Sequence, residues 1–261
     1  MKLTKLFILL FPLLSFALGV NAQQSEGEDA AVASIASNEL ILVGGATGQT
    51  GRLVVQLLRE QGYRVRGLTR DKESAIKQFG TEIEWVEADV RNPDTLQPAF
   101  DGVNKFISAI GASNRDPENG PEQVNYIGVK NLVDAAKSNR VKRFVLMSSR
   151  SVERAVNDLN QAPNDPLIWR FKGEEYLRNS GLVYSVVRAS GLRNSLGGEN
   201  GVLLSQTDES GLGYVTRADV AAVMVECLAN PDARGKTFKV FNVLADDPES
   251  WRDDFAELQT D

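Results

Sequence analysis

Residues 40–51 read LILVGGATGQTG, and this stretch decides the fold. The apolar run 40–43 is typical of a buried parallel strand, and 52–60 has the pattern of an amphipathic helix. Glycines stand between them at a spacing of three, at positions 45, 48 and 51. This spacing predicts a strand–turn–helix whose backbone N–H groups, at the positive end of a helix dipole, bind a pyrophosphate. The alternative is a glycine-rich turn without a ligand.

The chain begins with a segment that we exclude from the fold. Residues 1–22 have the features of a secretory signal peptide, with Lys2 and Lys5 followed by an apolar core and a small-x-small cleavage site. Residues 23–38 are polar and acidic and predict a flexible spacer. We therefore expect a periplasmic, lumenal or secreted domain over 39–261. The alternative is an uncleaved leader that anchors the chain to a membrane, although its apolar core is shorter than the ~20 residues of a spanning helix.

The composition excludes several classes of protein. The chain has 29 Lys and Arg against 35 Asp and Glu, a formal net charge of −6. A net acidic chain without a basic stripe argues against nucleic-acid binding. Because the chain has no histidine, it cannot build a Ser-His-Asp site, a Cys-His site or a His-ligated metal site, and we predict no metal centre. The single cysteine, Cys227, lies in an apolar helical run and is predicted to be a core residue.

Beyond the glycine turn, strand patterns alternate with helical patterns. The predicted strands are 40–43, 63–69, 83–87, 105–110, 143–147, 183–188 and 237–242. The predicted helices are 52–60, 72–79, 93–100, 122–138, 167–179 and 218–229. A short terminal helix is also predicted over 250–261, with Trp251, Phe255 and Leu258 spaced to pack on the core. This alternation predicts one α/β domain, a Rossmann fold with a doubly wound, mostly parallel sheet of about seven strands and helices on both faces.

The end of the second predicted strand bears on the choice of dinucleotide, because ligands of such sheets lie across the carboxyl ends of the strands. An acidic residue there binds the ribose 2′-hydroxyl of NAD, whereas an arginine suits the 2′-phosphate of NADP. The sequence has Thr69, Arg70 and Asp71 at this place. Arg70 favours NADP(H) over NAD(H). Asp71 keeps NAD open, and a solvated arginine without a ligand is a further alternative.

The next strand ends supply further candidates. Asp89 and Val90 follow the third strand, where the adenine would lie. The fourth strand ends in Ile110, Gly111 and Ala112, where a small flat surface would let the nicotinamide ribose approach. The fifth ends in Ser148 and Ser149, near the place of a substrate carbonyl.

Five stretches together resemble a known family. They are GGATGQTG at 44–51, ADV at 88–90, VNYIGVKNLVDAA at 124–136, RFVLMSS at 143–149 and EEYLRNSGLVYSVVRASGL at 174–192. The chain resembles the atypical short-chain dehydrogenases/reductases over 39–261, and in particular their NmrA-like, NAD(P)H-binding subgroup. The resemblance is specific for the superfamily but names no substrate. Together with the turn residues Thr47, Gln49 and Thr50, the cofactor contacts that it implies are Gly45, Gly48, Gly51, Arg70, Asp89, Val90, Ala109 and Lys172.

The catalytic residues depart from the family pattern. Reductases of this superfamily use a Tyr-x-x-x-Lys pair on one helix, in which the tyrosine passes a proton to the carbonyl oxygen. Lys172 lies in the corresponding helix, but Ile168 stands four residues before it, where the tyrosine is expected. Tyr176 follows four residues after Lys172, and we interpret it as a packing residue. The catalytic candidates are therefore Lys172, Ser148 and Ser149, although either serine could cap a strand end and Lys172 could bind only the ribose hydroxyls.

Two functions from different classes fit these features. The first is an NADP(H)-dependent oxidoreductase of a small organic carbonyl or similar acceptor. The second is an NADP(H)-binding redox sensor or an assembly factor for another protein, without turnover. A nucleotide-sugar epimerase is a third option, which usually needs the tyrosine and a larger substrate region.

The segment 189–214 is glycine-rich and is predicted to be the substrate-side loop, with Arg193 and Asn194 as possible polar contacts. An ordinary surface connection is the alternative. The partner is thus a small molecule or a protein, with no nucleic acid and no membrane unless the leader is retained. A secretory leader also raises the question of cofactor supply, because an exported compartment offers little NADP(H).

Overall fold

The computed structural model describes residues 38–112, 117–153, 166–207, 212–245, 247–248 and 250–261. The predicted signal peptide, and the predicted spacer except for its last residue, lie outside the described residues. In the described part of the chain, no helix is long and apolar enough to cross a membrane.

Eight strands form one sheet. The strands among the described residues are β1 (Leu40–Gly44), β2 (Arg64–Thr69), β3 (Glu84–Glu87), β4 (Lys105–Ser108), β5 (Arg143–Ser149), β6 (Tyr184–Ala189), β7 (Gly191–Arg193), β8 (Gly201–Ser205), β9 (Tyr214–Thr216) and β10 (Lys236–Val243). The main sheet has the order β3-β2-β1-β4-β5-β6-β10-β8, and β7 and β9 form a separate parallel pair. All neighbours in the main sheet are parallel except β8, which runs antiparallel to β10.

Helices cover both faces of the main sheet. The α-helices are α1 (Gly51–Glu60), α2 (Lys72–Phe79), α3 (Pro93–Phe100), α4 (Val129–Ser138), α5 (Pro166–Arg178) and α6 (Arg217–Ala229). Shorter helical segments are a π-helix at Glu122–Gly128 and 3₁₀ turns at Pro117–Asn119, Pro231–Ala233, Ser250–Arg252 and Asp254–Glu257. Helices α1, α2 and α6 pack on one face, and α3, α4 and α5 pack on the other.

The alternation of side chains along β1 explains why the sheet has two cores. Ile41 and Val43 point into the core beneath α1 and α6, whereas Leu40 and Leu42 point into the core beneath α3 and α4. Both faces of a central parallel strand are buried, so its sequence is apolar throughout. The predicted single-domain, doubly wound, mostly parallel sheet is confirmed. Cys227 is fully buried in the first core, as predicted.

The segment 189–214 is not loop throughout, because β7 and β8 lie within it and β9 begins at its last residue. Strand β8 also brings the main sheet to eight strands instead of seven. It pairs with β10, where Val202 lies opposite Asn242, and this pairing joins segments far apart in sequence. A hairpin has a local turn signal, whereas a distant antiparallel pairing has none, so the sequence pattern did not reveal β8.

Two predicted helices also differ in the structure. The predicted helix 122–138 starts as the π-helix and becomes α-helical only at Val129. A Cβ on Gly128 would lie 2.8 Å from a methyl carbon of Val90, so this glycine lets the segment approach the end of β3. The C-terminal segment forms two 3₁₀ turns instead of one helix. Its apolar residues Trp251, Phe255 and Leu258 are buried against the first core, as their spacing predicted.

Candidate cofactor and substrate site

Two glycines of the turn after β1 are required by close packing. Gly45 has φ +75°, and a Cβ on it would lie 2.8 Å from the carbonyl oxygen of Ala109. Gly51 is the first residue of α1, and a Cβ on it would lie only 2.0 Å from the carbonyl oxygen of Gly45. Real Cβ atoms do not approach backbone this closely, so the fold itself selects glycine at both positions.

Gly48 differs from the other two glycines. Its N–H donates to the carbonyl oxygen of Gly45 at 2.9 Å. A Cβ on Gly48 would lie 3.1 Å from that oxygen, with no other described atom outside its chain neighbours within 4 Å. Gly48 lines the cleft described below. The absence of a side chain at Gly48 therefore leaves room for a ligand to approach the backbone.

The N-terminus of α1 is not capped by a side chain. Thr50 precedes the helix with φ −82° and ψ −44° and makes no side-chain capping hydrogen bond. The N–H groups of Arg52 and Leu53 donate to the carbonyl oxygens of Gly48 and Thr50. The positive end of the helix dipole still points to the turn before α1, where it attracts an anion. The buried Thr50, the exposed Gln49 and the buried Gly51 shape this turn without lining the cleft.

A cleft of about 290 Å³ lies at the carboxyl ends of β1 to β4. It is lined by Gly45, Thr47, Gly48, Leu68, Thr69, Arg70, Ala88, Asp89, Val90, Ala109, Ile110, Gly111, Asn119 and Val124. The structure thus brings most of the predicted cofactor contacts together in one place. Asn119 and Val124 come from the segment after β4. The sequence analysis missed both because they do not lie at the end of a predicted strand.

The end of β2 presents Arg70 to the cleft and turns Asp71 away from it. Nη1 of Arg70 donates to Oδ1 of Asn119 at 2.6 Å. Asp71 caps α2 by accepting hydrogen bonds from the N–H of Ser74 at 2.8 Å and from its hydroxyl at 2.6 Å. The hydroxyl bond from Ser74 is the main reason that the pKa of Asp71 is below its usual value. Asp71 is therefore engaged in capping and does not line the cleft.

Asp89 lines the cleft, and Arg91 balances the negative charge of its carboxylate. Arg91 donates from Nε to both carboxylate oxygens at 3.0 Å and from Nη2 to Oδ2 at 2.5 Å. This side-chain bonding holds the pKa of Asp89 below its usual value. Because Arg91 balances its charge, Asp89 repels an anionic ligand less than a bare carboxylate would.

A second pocket of about 480 Å³ adjoins the first. It is lined by Ala112, Asn125, Met147, Ser148, Ser149, Pro166, Leu167, Arg170, Ala189, Ser190, Leu192 and Arg217. Nη2 of Arg170 lies 3.1 Å from the position that a Cβ on Gly111 would take, and Gly111 lines the first cleft. The two pockets therefore meet at the end of β4, and the second holds both predicted serines.

The sequence analysis missed the two arginines and one serine of this second pocket. Arg170 is half-buried, and burial lowers the pKa of its guanidinium. It lies four residues before the buried Glu174, and two charged residues on an inward helical face were a signal that could have found it. Ser190 follows β6 and Arg217 follows β9. Only the tertiary structure brings these two residues together in the second pocket.

The structure does not support the prediction that Lys172 contacts the cofactor or the reacting atoms. Lys172 is exposed, lines neither pocket and holds Nζ 4.0 Å from the ring centroid of Trp169. Two residues turn a helix by about 200°, so Lys172 and Arg170 point to nearly opposite sides of α5. A Cβ on Gly173 would lie 2.4 Å from the carbonyl oxygen of Asn125, and this contact fixes the rotation of α5.

Tyr176 joins α5 to α4. Its hydroxyl donates to Oδ1 of Asp134 at 2.8 Å, and this bond is the main reason that the pKa of Tyr176 is raised. The ammonium of Lys130 lies 5.2 Å from its ring centroid. The interpretation of Tyr176 as a packing residue agrees with this position. Among the described residues that line the two pockets, none is a tyrosine.

The remaining candidates, Arg193 and Asn194, are not among the residues that line the second pocket. The guanidinium of Arg193 stacks 3.6 Å from the ring centroid of Tyr214. Asn194 accepts a hydrogen bond from Nη1 of Arg217 at 2.7 Å and so orients a residue that lines the pocket. Within the described ranges, no group of His, Cys, Asp and Glu residues is arranged to hold a metal ion.

A glycine turn, an uncapped helix N-terminus and a cleft across the strand ends define a dinucleotide-binding protein of the Rossmann type. Residues 45–231 match the model of a family described as NAD(P)H-binding. This chain belongs to that family. The predicted likeness to atypical short-chain dehydrogenases/reductases of the NAD(P)H-binding kind is confirmed.

Several relatives have names that report what they do or where they are found. "Uncharacterized protein At2g37660, chloroplastic" of Arabidopsis thaliana is 35% identical over 232 residues, which cover 80% of this chain and 70% of the relative. Sanguinarine reductase of Eschscholzia californica is 32% identical, covering 76% and 87%. Photosystem II assembly factor Ycf39 of Cyanophora paradoxa is 31% identical, covering 76% and 62%. The relatives thus include one named as a reductase and one named as an assembly factor.

A solved structure shows the same fold. The "putative NAD-dependent epimerase/dehydratase" of Bacillus halodurans superposes with a TM-score of 0.70 at 23% identity. The match covers 79% of this chain and 95% of that structure, so the fold is shared over most of the chain.

Proposed function

We propose that this protein is an NADP(H)-dependent oxidoreductase of a small organic carbonyl or similar acceptor. The observation that carries the proposal is the junction at Gly111, where the dinucleotide cleft meets a second pocket lined by hydroxyls and guanidinium groups. The turn at Gly45 and Gly48 would hold the pyrophosphate, and Arg70 the 2′-phosphate. When bound, NADPH supplies a hydride to the acceptor.

Ser148 is the residue best placed to polarise the acceptor carbonyl. Its Oγ is buried and has no hydrogen-bond partner in the part of the chain that the structure describes. A hydroxyl without a partner donates to a carbonyl oxygen without first breaking another bond. Ser148 would therefore orient the acceptor in place of the missing tyrosine, with a proton supplied by water that enters the pocket. Ser149 lines the same pocket and is a second donor.

Arg70→Ala tests the choice of dinucleotide. Loss of a charge-assisted bond to the 2′-phosphate is expected to weaken NADPH binding about 10- to 30-fold, while NADH binding changes little. The measurement is quenching of intrinsic fluorescence on titration with each dinucleotide. Arg64→Ala, on the exposed start of β2, is the matched control and should leave both affinities unchanged. Equal loss of NADPH and NADH affinity in Arg70→Ala would contradict the preference for NADP(H).

Turnover is tested with purified full chain and NADPH across a panel of aldehydes, ketones and quinones, with sanguinarine included because a relative is named for it. We expect NADPH oxidation with at least one acceptor. Ser148→Ala should lower kcat about 10- to 100-fold and leave NADPH affinity unchanged, because one donor to the reacting oxygen is lost. Tyr176→Phe should leave kcat unchanged.

A second candidate function is NADP(H) binding without turnover, as a redox sensor or an assembly factor for another protein. Ile168 occupies the place of the family tyrosine, and Tyr176 is bonded to Asp134 outside both pockets. The relative named as an assembly factor adds support. NADPH binding without oxidation by any member of the panel is the outcome that favours this candidate. The partner would then be a protein instead of a small molecule.

For localisation, we propose that residues 1–22 are a targeting leader. Its features favour the secretory pathway, whereas the names of several relatives report a chloroplast. The acidic stretch 23–38 is unlike an organelle transit peptide, which is basic and poor in acids. Fractionation of cells that express the tagged full chain distinguishes export, organelle import and retention at a membrane.

A further inference from the structure

We propose that the second pocket binds a carboxylate of the substrate, so that the acceptor is a carbonyl compound with an acidic group and an apolar body. This inference rests on the proposed function, because it takes the second pocket as the substrate site. It narrows the acceptor from small carbonyl compounds in general to those that carry an anion.

The first observation is a pair of buried hydroxyls that lack partners. Ser148 at the end of β5 and Ser190 after β6 are each 6% exposed, and both line the pocket. Neither Oγ has a hydrogen-bond partner among the described residues. Because a buried polar atom without a partner is unfavourable, two of them in one pocket indicate a ligand that supplies acceptors.

The second observation is the positive charge of the pocket. Arg170 and Arg217 both line it, and in the described ranges neither forms an ion pair. The acid nearest along α5 to Arg170 is Glu174, which is shared between Arg188 at 2.7 Å and Arg178 at 3.3 Å. Arg217 donates to the neutral amide oxygen of Asn194, which leaves its charge uncompensated.

The donors in this pocket fit an oxyanion. A guanidinium has donors and no acceptor, so the ligand group that it binds best has acceptors only. A carboxylate meets this condition and binds a guanidinium through two parallel hydrogen bonds. Each serine hydroxyl has one donor; since Ser148 donates to the acceptor carbonyl in the proposed function, Ser190 is the hydroxyl available to the carboxylate. Met147, Leu167 and Leu192 form an apolar wall beside these groups. A pocket of about 480 Å³ therefore suits a ring or short chain that ends in a carboxylate.

A phosphate of the cofactor shares this oxyanion chemistry, since Arg170 also approaches Gly111. The two sources differ in which affinity the arginines support. If they bind a substrate carboxylate, their removal leaves NADP⁺ affinity unchanged. If they bind the cofactor, NADP⁺ affinity falls.

The test is calorimetric titration of benzoate and of benzamide into the full chain saturated with NADP⁺. Benzoate is expected to bind at least about tenfold more tightly than its neutral analogue, because only the carboxylate pairs with the guanidinium groups. Arg170→Gln and Arg217→Gln should each remove most of this advantage without changing NADP⁺ affinity. Arg59→Gln, which removes an exposed arginine in the last turn of α1, is the matched control and should keep the advantage. Circular dichroism of each variant verifies the fold, and Arg217 provides a second site if Arg170→Gln does not fold.

Equal affinity of the wild-type chain for benzoate and benzamide would overturn the inference, as would a fall in NADP⁺ affinity equal to the fall in benzoate affinity. The titration requires no turnover, so its outcome is separate from that of the proposed function. Benzoate binding without NADPH oxidation in the panel would contradict the proposed reductase function and support the carboxylate site. Oxidation of NADPH by neutral acceptors, with equal binding of benzoate and benzamide, would contradict the carboxylate site and support the reductase function.

Discussion

Gly48→Val is expected to weaken NADPH binding about 100-fold while the domain still folds, a loss of about 2.7 kcal/mol. The valine side chain would extend from the turn into the cleft, where the pyrophosphate must approach the backbone N–H groups. Its Cβ would meet only the carbonyl oxygen of Gly45, at 3.1 Å, so a small shift accommodates it. Fluorescence titration with NADPH measures the affinity, and thermal unfolding followed by circular dichroism measures the stability.

Gly51→Ala provides the contrast for this prediction. A Cβ on Gly51 would lie 2.0 Å from the carbonyl oxygen of Gly45. A change of side-chain rotamer cannot relieve this clash, because the Cβ is attached directly to the backbone and the oxygen belongs to it. We expect it to destabilise the domain by about 3 kcal/mol or more, because overpacked backbone has to move. NADPH binding would fall as a consequence of the distorted turn. If Gly48→Val also lowered the unfolding temperature as much as Gly51→Ala, its effect on binding would reflect folding and the argument from ligand space would fail.

Glu174→Ala is expected to cost about 3 kcal/mol of unfolding free energy, because it removes the buried carboxylate that pairs with Arg188. The arginine keeps only Glu153, whose side chain is 42% exposed. Glu174 is fully buried, and its carboxylate accepts from Nη2 of Arg188 at 2.7 Å. Arg188 lies in β6 and is itself 5% exposed. Denaturant unfolding of wild type and variant gives the difference in stability.

Glu175 is the matched control for this prediction. It pairs with Arg178 at 2.6 Å, but its side chain is 47% exposed. Exposed ion pairs contribute about 0–1 kcal/mol, so Glu175→Ala should have little effect. The double change Glu174→Met and Arg188→Met should recover much of the lost stability, since it removes both buried charges. Equal stability of the two single alanine variants would show that burial of this pair carries no energetic weight.

The Glu174 pair also supports the second pocket. Glu174 follows Arg170 by one helical turn on α5, and Arg188 precedes Ser190 by two residues at the end of β6. The pair therefore joins the helix and the strand that present a guanidinium and a hydroxyl to the same pocket. The Glu174–Arg188 pair holds α5 and β6 in a fixed relative position. This role explains why charged residues occupy a place where apolar residues would give more stability.

The dinucleotide cleft was predictable in detail because its determinants are local. The strand, the glycine turn and the helix follow one another along the chain, and the ends of the next strands meet at one edge of any doubly wound sheet. Arg70 and Asp89 were found in this way. The capping role of Asp71 is also local, and Ser74 three residues later was its signal.

The second pocket was less predictable because it depends on how α5 is rotated. The family pattern pointed to Lys172, whereas the structure turns Arg170 inward. The contact of Gly173 with the π-helix decides between them, and no spacing along α5 reports it.

The sequence by itself therefore determined the Rossmann sheet, the glycine turn and the absence of the family tyrosine, because periodicity and turn chemistry act over a few residues. Only the tertiary structure decided that β8 is an edge strand of the sheet and that Lys172 lies outside both pockets. It also decided that one pocket is shared by Ser148, Ser190, Arg170 and Arg217. These four residues come from separate elements, and their meeting depends on side-chain packing between distant parts of the chain.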